Sequence, residues 1–185
     1  TLKRRMKKKF QDSENLNKSV YLFADEFTNY NDSDIGIKAV RLLNKLGYSV
    51  QIAEISESGR TYLSKGFVKK AKKLAEKNIN ALESKINEDS PLIGIEPSTI
   101  LSFRDEYPEL AREEFRASAR KLSENAMMLE EFLLAEMEKG EIKKEMFTHK
   151  SLKMKFHGHC QQKAIAGTSA SIKCLSFPEN YTVLE

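Results

Sequence analysis

The stretch "SVYLFADEFTNYNDSDIGIKAVRLLNKLGYSVQIAE", residues 19–54, decides the fold. "SVYLFAD" (19–25) is a short apolar run ending in acidic residues, the pattern of a buried strand. "NYNDSD" is a polar loop that can cap a helix through Ser33 or Asp34. Ile35, Ala39, Leu42, Leu43 and Leu46 recur at helical spacing, and Gly47 sits where a helix terminates at C′. "SVQIAE" (49–54) is a second strand. Strand, helix and strand in about 35 residues form one crossover unit, which implies parallel pairing.

The rest of the chain repeats this alternation. "SESGRTYLSKG" is a loop rich in small residues. Val68, Ala71, Ala75, Ile79, Leu82 and Ile86 mark the apolar face of a long helix whose lysine-rich face reads as solvated surface. "PLIGIE" (91–96) is a third buried strand, and Pro97 suits the first turn of the next helix. Leu122, Ala126, Leu129, Leu133 and Met137 mark another amphipathic helix. "KMKFHG" (153–158) is a fourth strand, a small-residue helix follows from about Gln161, and "YTVL" (181–184) is a fifth. The expected fold is α/β, a Rossmann-like three-layer sandwich with a mostly parallel sheet. Strands near 20–25, 49–54, 91–95 and 153–157 are expected side by side in that sheet, with helices on both faces.

Composition bounds the function. The chain has 185 residues, 40% hydrophobic and 31% charged, enough for one good-sized core. Its net charge of +4 comes from the first ten residues, "TLKRRMKKKF", which hold six basic and no acidic side chains. Without them 25 basic residues stand against 27 acidic ones. Residues 1–17 are expected to be a basic arm or interdomain linker, with residues 1–10 loosely packed against the sheet or extended away from it, and 18–185 the α/β domain. The arm could touch an anionic surface, but no aromatic interleaving supports a nucleic-acid groove. No apolar run is long enough to span a membrane and no signal peptide is visible. Two cysteines make no disulfide framework, so a reducing, cytoplasmic setting is expected. No phosphate-binding signature such as G-x-G-x-x-G occurs. The chain starts at Thr1, which suggests a piece of a longer protein.

Open α/β sheets bind ligands beyond the carboxyl ends of their strands. There the sequence places Asp25 and Glu26, Glu54 and Glu57, Glu96, and then His157, His159 and Cys160. His157 and His159, two apart, share a face if they lie in a strand. Cys160 opens the following helix, and a helix N-terminus favours thiolate, the form that binds metal or attacks electrophiles. Two imidazoles and one thiol are three ligands at most, so a structural zinc site would need a fourth. A phosphatase-type H-C-x5-R loop is excluded, because Ala166 stands where the arginine would be. A plain strand-to-helix turn with a buried cysteine is the alternative. Cys174 reads as a buried hydrophobe.

"ESGRTYLSKG", "GIEPSTILSFRDEYPEL", "HGHCQQKA" and "CLSFPENYTV", with the 22–50 segment, together resemble the C-terminal cysteine-rich (CCG) domain of FAD-linked, iron–sulfur D-2-hydroxyacid dehydrogenases of the glycolate oxidase type. The match runs over about residues 18–185. The resemblance implies an FAD domain that oxidises the hydroxyacid, a ferredoxin-like segment, and this CCG-type domain C-terminal to both as its partner. It implies FAD and iron–sulfur clusters in the full-length protein and none in this fragment, which should not turn over substrate alone. It is compatible with peripheral membrane association of the full-length enzyme, and no nucleic acid is expected. The roles implied are electron relay, metal or cluster binding, or domain docking; a structural or metal-binding α/β module without a redox role is the alternative. Cys160, His157 and His159 are the metal or redox candidates, and Glu96, Arg60 and Glu57 support them, Arg60 as a bidentate clamp for a carboxylate or other anion. No catalytic residue is assigned. The chain departs from the pattern at Ser56-Glu57-Ser58-Gly59-Arg60, which lacks the first CCG cysteines, and at Thr99 and Gln161. The second CCG would follow "YTVLE", where this sequence stops, so the domain is read as C-terminally truncated.

Overall fold

The computed structural model describes residues 1–9, 18–55 and 57–185. The chain forms two compact units, Thr1–Met127 and Met128–Glu185.

The first unit begins with helix α1 (Leu2–Lys9) and strand β1 (Lys18–Phe23), followed by α2 (Glu26–Tyr30), α3 (Ser33–Lys45) and β2 (Tyr48–Ile52). Helices α4 (Arg60–Leu63) and α5 (Val68–Leu82) lead to β3 (Leu92–Gly94), then α6 (Pro97–Ile100), α7 (Glu106–Leu110), α8 (Glu113–Glu124) and β4 (Ala126–Met128). The sheet order is β2-β1-β3-β4. Strand β1 pairs in parallel with β2, Val20 opposite Val50, and with β3, Leu22 opposite Ile93. Val20, Leu22, Phe23, Leu92 and Ile93 are all buried. Their continuous apolar runs are what a parallel strand covered on both faces requires. Phe23 meets Phe103 edge-on at 5.3 Å, and Phe103 packs on Tyr107 at 4.3 Å. The expected α3 ends as read, with Gly47 at φ 94°. Its N-cap is Asp32, however, whose side chain makes no capping hydrogen bond among the described residues.

Two expectations are corrected in this unit. The apolar positions from Leu122 to Met137 do not form one helix. The helix stops at Glu124, and residues 126–128 are strand β4, joined to β3 where the Leu92 amide donates to the Asn125 carbonyl at 2.9 Å. The apolar positions beyond the break belong to a second helix, Leu129–Glu138. The basic arm is not loosely packed over its described part. Leu2 and Met6, one turn apart, are buried. The Lys3 amide donates to Asn29, and Arg5 pairs with Asp34 at 2.5 Å. Residues 10–17 of the arm lie outside the described residues.

The second unit holds α9 (Leu129–Glu138), β5 (Leu152–Lys155), α10 (Cys160–Ile165), α11 (Ser169–Leu175) and β6 (Tyr181–Leu184). Here the fourth expected strand departs from its reading. It does not join the four-stranded sheet but pairs in parallel with β6, Leu152 opposite Tyr181, as a separate two-stranded sheet. Its residues are mostly exposed, so it lacks the apolar run that made β1 and β3 interior strands. Among the described residues no helix is long and apolar enough to cross a membrane.

Candidate functional site

In the first unit the strand order reverses between β1 and β3, and the crevice outside the carboxyl ends at such a reversal is where open α/β sheets take ligands. Beyond β1, Asp25 caps α2, its Oδ1 accepting from the amides of Phe27 and Thr28 at 2.8 and 2.9 Å. Its Oδ2 is buried and has no hydrogen-bond partner among the described residues. Burial raises the Asp25 carboxyl above its ordinary value, opposed by the Thr28 and Phe27 hydrogen bonds.

The next residue ties β1 to the loop beyond β2. The Glu26 carboxylate accepts from the Ser58 amide at 3.1 Å and the Ser58 hydroxyl at 2.8 Å. A buried network supports this loop from beneath. Asn78 donates from one amide nitrogen to the Glu57 carbonyl and to the Tyr107 oxygen, both at 2.8 Å. The Tyr107 hydroxyl in turn donates to the Ser58 carbonyl at 2.8 Å. Burial holds the Tyr107 phenol above its ordinary value, so it is a fixed donor.

The supporting residues read from the sequence take different places. Glu57 lines a cavity of about 340 Å³ with Glu26, Thr61, Tyr62, Lys65 and Phe67. Arg60 holds a carboxylate, but an internal one: its guanidinium pairs with Glu106. Glu96 caps α6, accepting from the Ser98 amide at 3.2 Å and the Ser98 hydroxyl at 2.7 Å. Ser56 lies outside the described residues. Tyr107 and Asn78 were not singled out from the sequence, whereas Glu26 was read as one of the acidic residues at the strand ends and Ser58 as part of the 56–60 loop. Asn78 did carry a signal, as a polar residue beside Ile79 on the buried face of α5.

His157, His159 and Cys160 belong to the second unit. Strand β5 stops at Lys155, so the two histidines do not share a strand face. His157 is exposed in the connection. His159 is the N-cap of α10, its Nδ1 accepting from the Gln161 amide at 3.1 Å, which puts the proton of the neutral ring on Nε2. Cys160, the first residue of α10, is exposed and free. Cys174 is half-buried, and burial, helped by the Glu130 charge, pushes its thiol up to about 12. Gln162 and Ser171 are both buried; Gln162 donates to Ser171 at 2.6 Å, and Ser171 donates to Glu130 at 2.8 Å. Among the described residues no group of three or more His, Cys, Asp or Glu side chains could hold a metal ion.

An iron–sulfur cluster needs thiolates, typically four. With two cysteines, this chain alone does not supply that ligand set.

The chain is 29% identical over 151 residues to D-2-hydroxyglutarate dehydrogenase of Escherichia coli K12, a match spanning 82% of this chain and 14% of that protein. It is 31% identical over 94 residues to D-2-hydroxyglutarate dehydrogenase of Pantoea ananatis, covering 51% of this chain and 9% of that one. It is also 30% identical over 93 residues to one subunit of the anaerobic glycerol-3-phosphate dehydrogenase of Escherichia coli K12, covering 49% of this chain and 24% of that polypeptide. The chain thus spans a small part of the length of the relatives it matches. No family model and no solved structure matches.

Proposed function

We propose that this chain is a CCG-type domain of an FAD- and iron–sulfur-dependent dehydrogenase that oxidises D-2-hydroxyacids, and that its part there is domain docking around an exposed thiol. The observation that carries this reading is the similarity to D-2-hydroxyglutarate dehydrogenase over 82% of the chain. The strand order β2-β1-β3-β4 supports a doubly wound, Rossmann-like reading of the first unit. Hydride chemistry belongs to the flavin. The residues of this chain supply shape: Glu26 clamps the loop beyond β2, and Tyr107 and Asn78 hold that loop rigid. Docking is favoured over cluster ligation because the two thiols do not form a ligand set.

The experiment is dye reduction by the polypeptide that carries this chain, with D-2-hydroxyglutarate and its L-enantiomer as substrates. D-specific, flavin-dependent reduction is expected. A flavin-free polypeptide, or one indifferent to D-2-hydroxyacids, contradicts the reading.

A further inference from the structure

We propose that the turn joining α4 to α5, with the outward face of α5, is a docking surface for an acidic polypeptide segment carrying one apolar or aromatic anchor side chain. The inference does not rest on the dehydrogenase reading.

Residues 61–77 hold six lysines against one glutamate. That glutamate, Glu76, is already taken by Arg112 at 2.9 Å. Lys69, Lys73 and Lys77 recur every four residues and are exposed, so they form one column about 12 Å long on the helix. Like-charged neighbours at this spacing repel each other, a cost that an acidic partner removes. At the head of the column the turn leaves Phe67 53% and Val68 50% exposed. The Lys70 ammonium lies 5.5 Å from the ring centres of both Tyr62 and Phe67.

The adjoining cavity of about 340 Å³ has room for one large side chain, with Tyr62 and Phe67 in its wall. Glu26 and Glu57 also line it, against the single cation Lys65, so the lining carries a net negative charge that disfavours an anion entering it. An anionic group therefore stays outside on the lysine column while an apolar group enters. That division fits a polypeptide, which can carry both groups a few residues apart. A lipid surface would leave the concavity unfilled and face its two carboxylates with phosphates.

The test is fluorescence anisotropy with the 185-residue chain and a labelled glutamate-rich 12-mer carrying a central phenylalanine. An all-glutamate 12-mer, phosphatidylglycerol vesicles and a DNA duplex serve as competitors. Lys69→Glu/Lys73→Glu is expected to weaken binding of the anchored peptide about tenfold. Phe67→Ala is expected to weaken it about fivefold. The charge-matched Lys153→Glu/Lys155→Glu, on the exposed β5, should leave it unchanged. All substituted side chains are exposed, and far-UV circular dichroism checks that each variant is folded. The proposal is overturned if both peptides bind equally, if the β5 variant loses as much as the α5 variant, or if vesicles or duplex bind more tightly than the anchored peptide.

Discussion

The side chain of Leu2 occupies the space a Cβ at residue 36 would need, so α1 rests directly on Gly36 of α3. Both Leu2 and Gly36 are buried. Leu2→Ala should cost about 2–3 kcal/mol in urea unfolding, the usual range for emptying such a site. Gly36→Ala should also destabilise, by overpacking against Leu2. In the double variant the smaller residue 2 makes room for the new Cβ, so the two losses should not add. Strict additivity, or a Leu2→Ala loss below about 0.5 kcal/mol, would show that α1 does not pack on α3.

Tyr107 fixes the loop beyond β2 through one hydroxyl that donates to Ser58 and accepts from Asn78. Tyr107→Phe keeps the ring stacked on Phe103 but strands the Ser58 carbonyl and removes an acceptor from Asn78. The expected loss is about 1–3 kcal/mol, the cost of unsatisfied buried groups. An unchanged denaturation midpoint would mean that the loop is held by Glu26 and Asn78 without the Tyr107 hydroxyl.

Asp25 makes stability depend on pH with a definite sign. Its carboxyl is raised in the folded state by burial, so the folded chain binds this proton more tightly than the unfolded one. The contribution is present below the ordinary value near 3.8 and is lost as pH rises through the folded value. Asp25→Asn keeps an N-cap oxygen and abolishes the titration. The wild-type stability minus that of Asp25→Asn should therefore fall from about pH 4 to pH 7. A pH-independent difference, or one that rises, would contradict the burial of a strained carboxylate.

The two thiols should separate chemically. Cys160 is exposed, and Cys174 is half-buried with its thiol pushed up to about 12. A disulfide reagent at pH 8 should label one thiol quickly and the other only on unfolding, because thiolate is the reactive form. Cys160→Ser should remove the fast phase. Loss of the fast phase in Cys174→Ser instead would reverse the assignment.

The alternation of strands and helices was legible because β1, β2 and β3 carry local signals: short apolar runs bounded by polar loops. Strand β4 was not, since three residues between two helices leave no period of their own. Helix α1 was hidden by its charge; only Leu2 and Met6 mark its buried side. The histidine–cysteine motif was legible as a cluster, but its geometry was not, because β5 ends before His157. The Glu26–Ser58 and Tyr107–Ser58 pairs join residues 32 and 49 positions apart, and such pairings leave no mark in local sequence.

The central claim is that this chain serves a D-2-hydroxyacid dehydrogenase as a part separate from its flavin. Its most direct test is anaerobic stopped-flow reduction of the bound flavin by D-2-hydroxyglutarate. The polypeptide that carries this chain should be compared with the same polypeptide lacking residues 18–185, with flavin content reporting on folding. The predicted result is flavin reduction in both, with dye turnover falling only where the domain is missing. A flavin that D-2-hydroxyglutarate never reduces in the polypeptide carrying this chain would contradict the account.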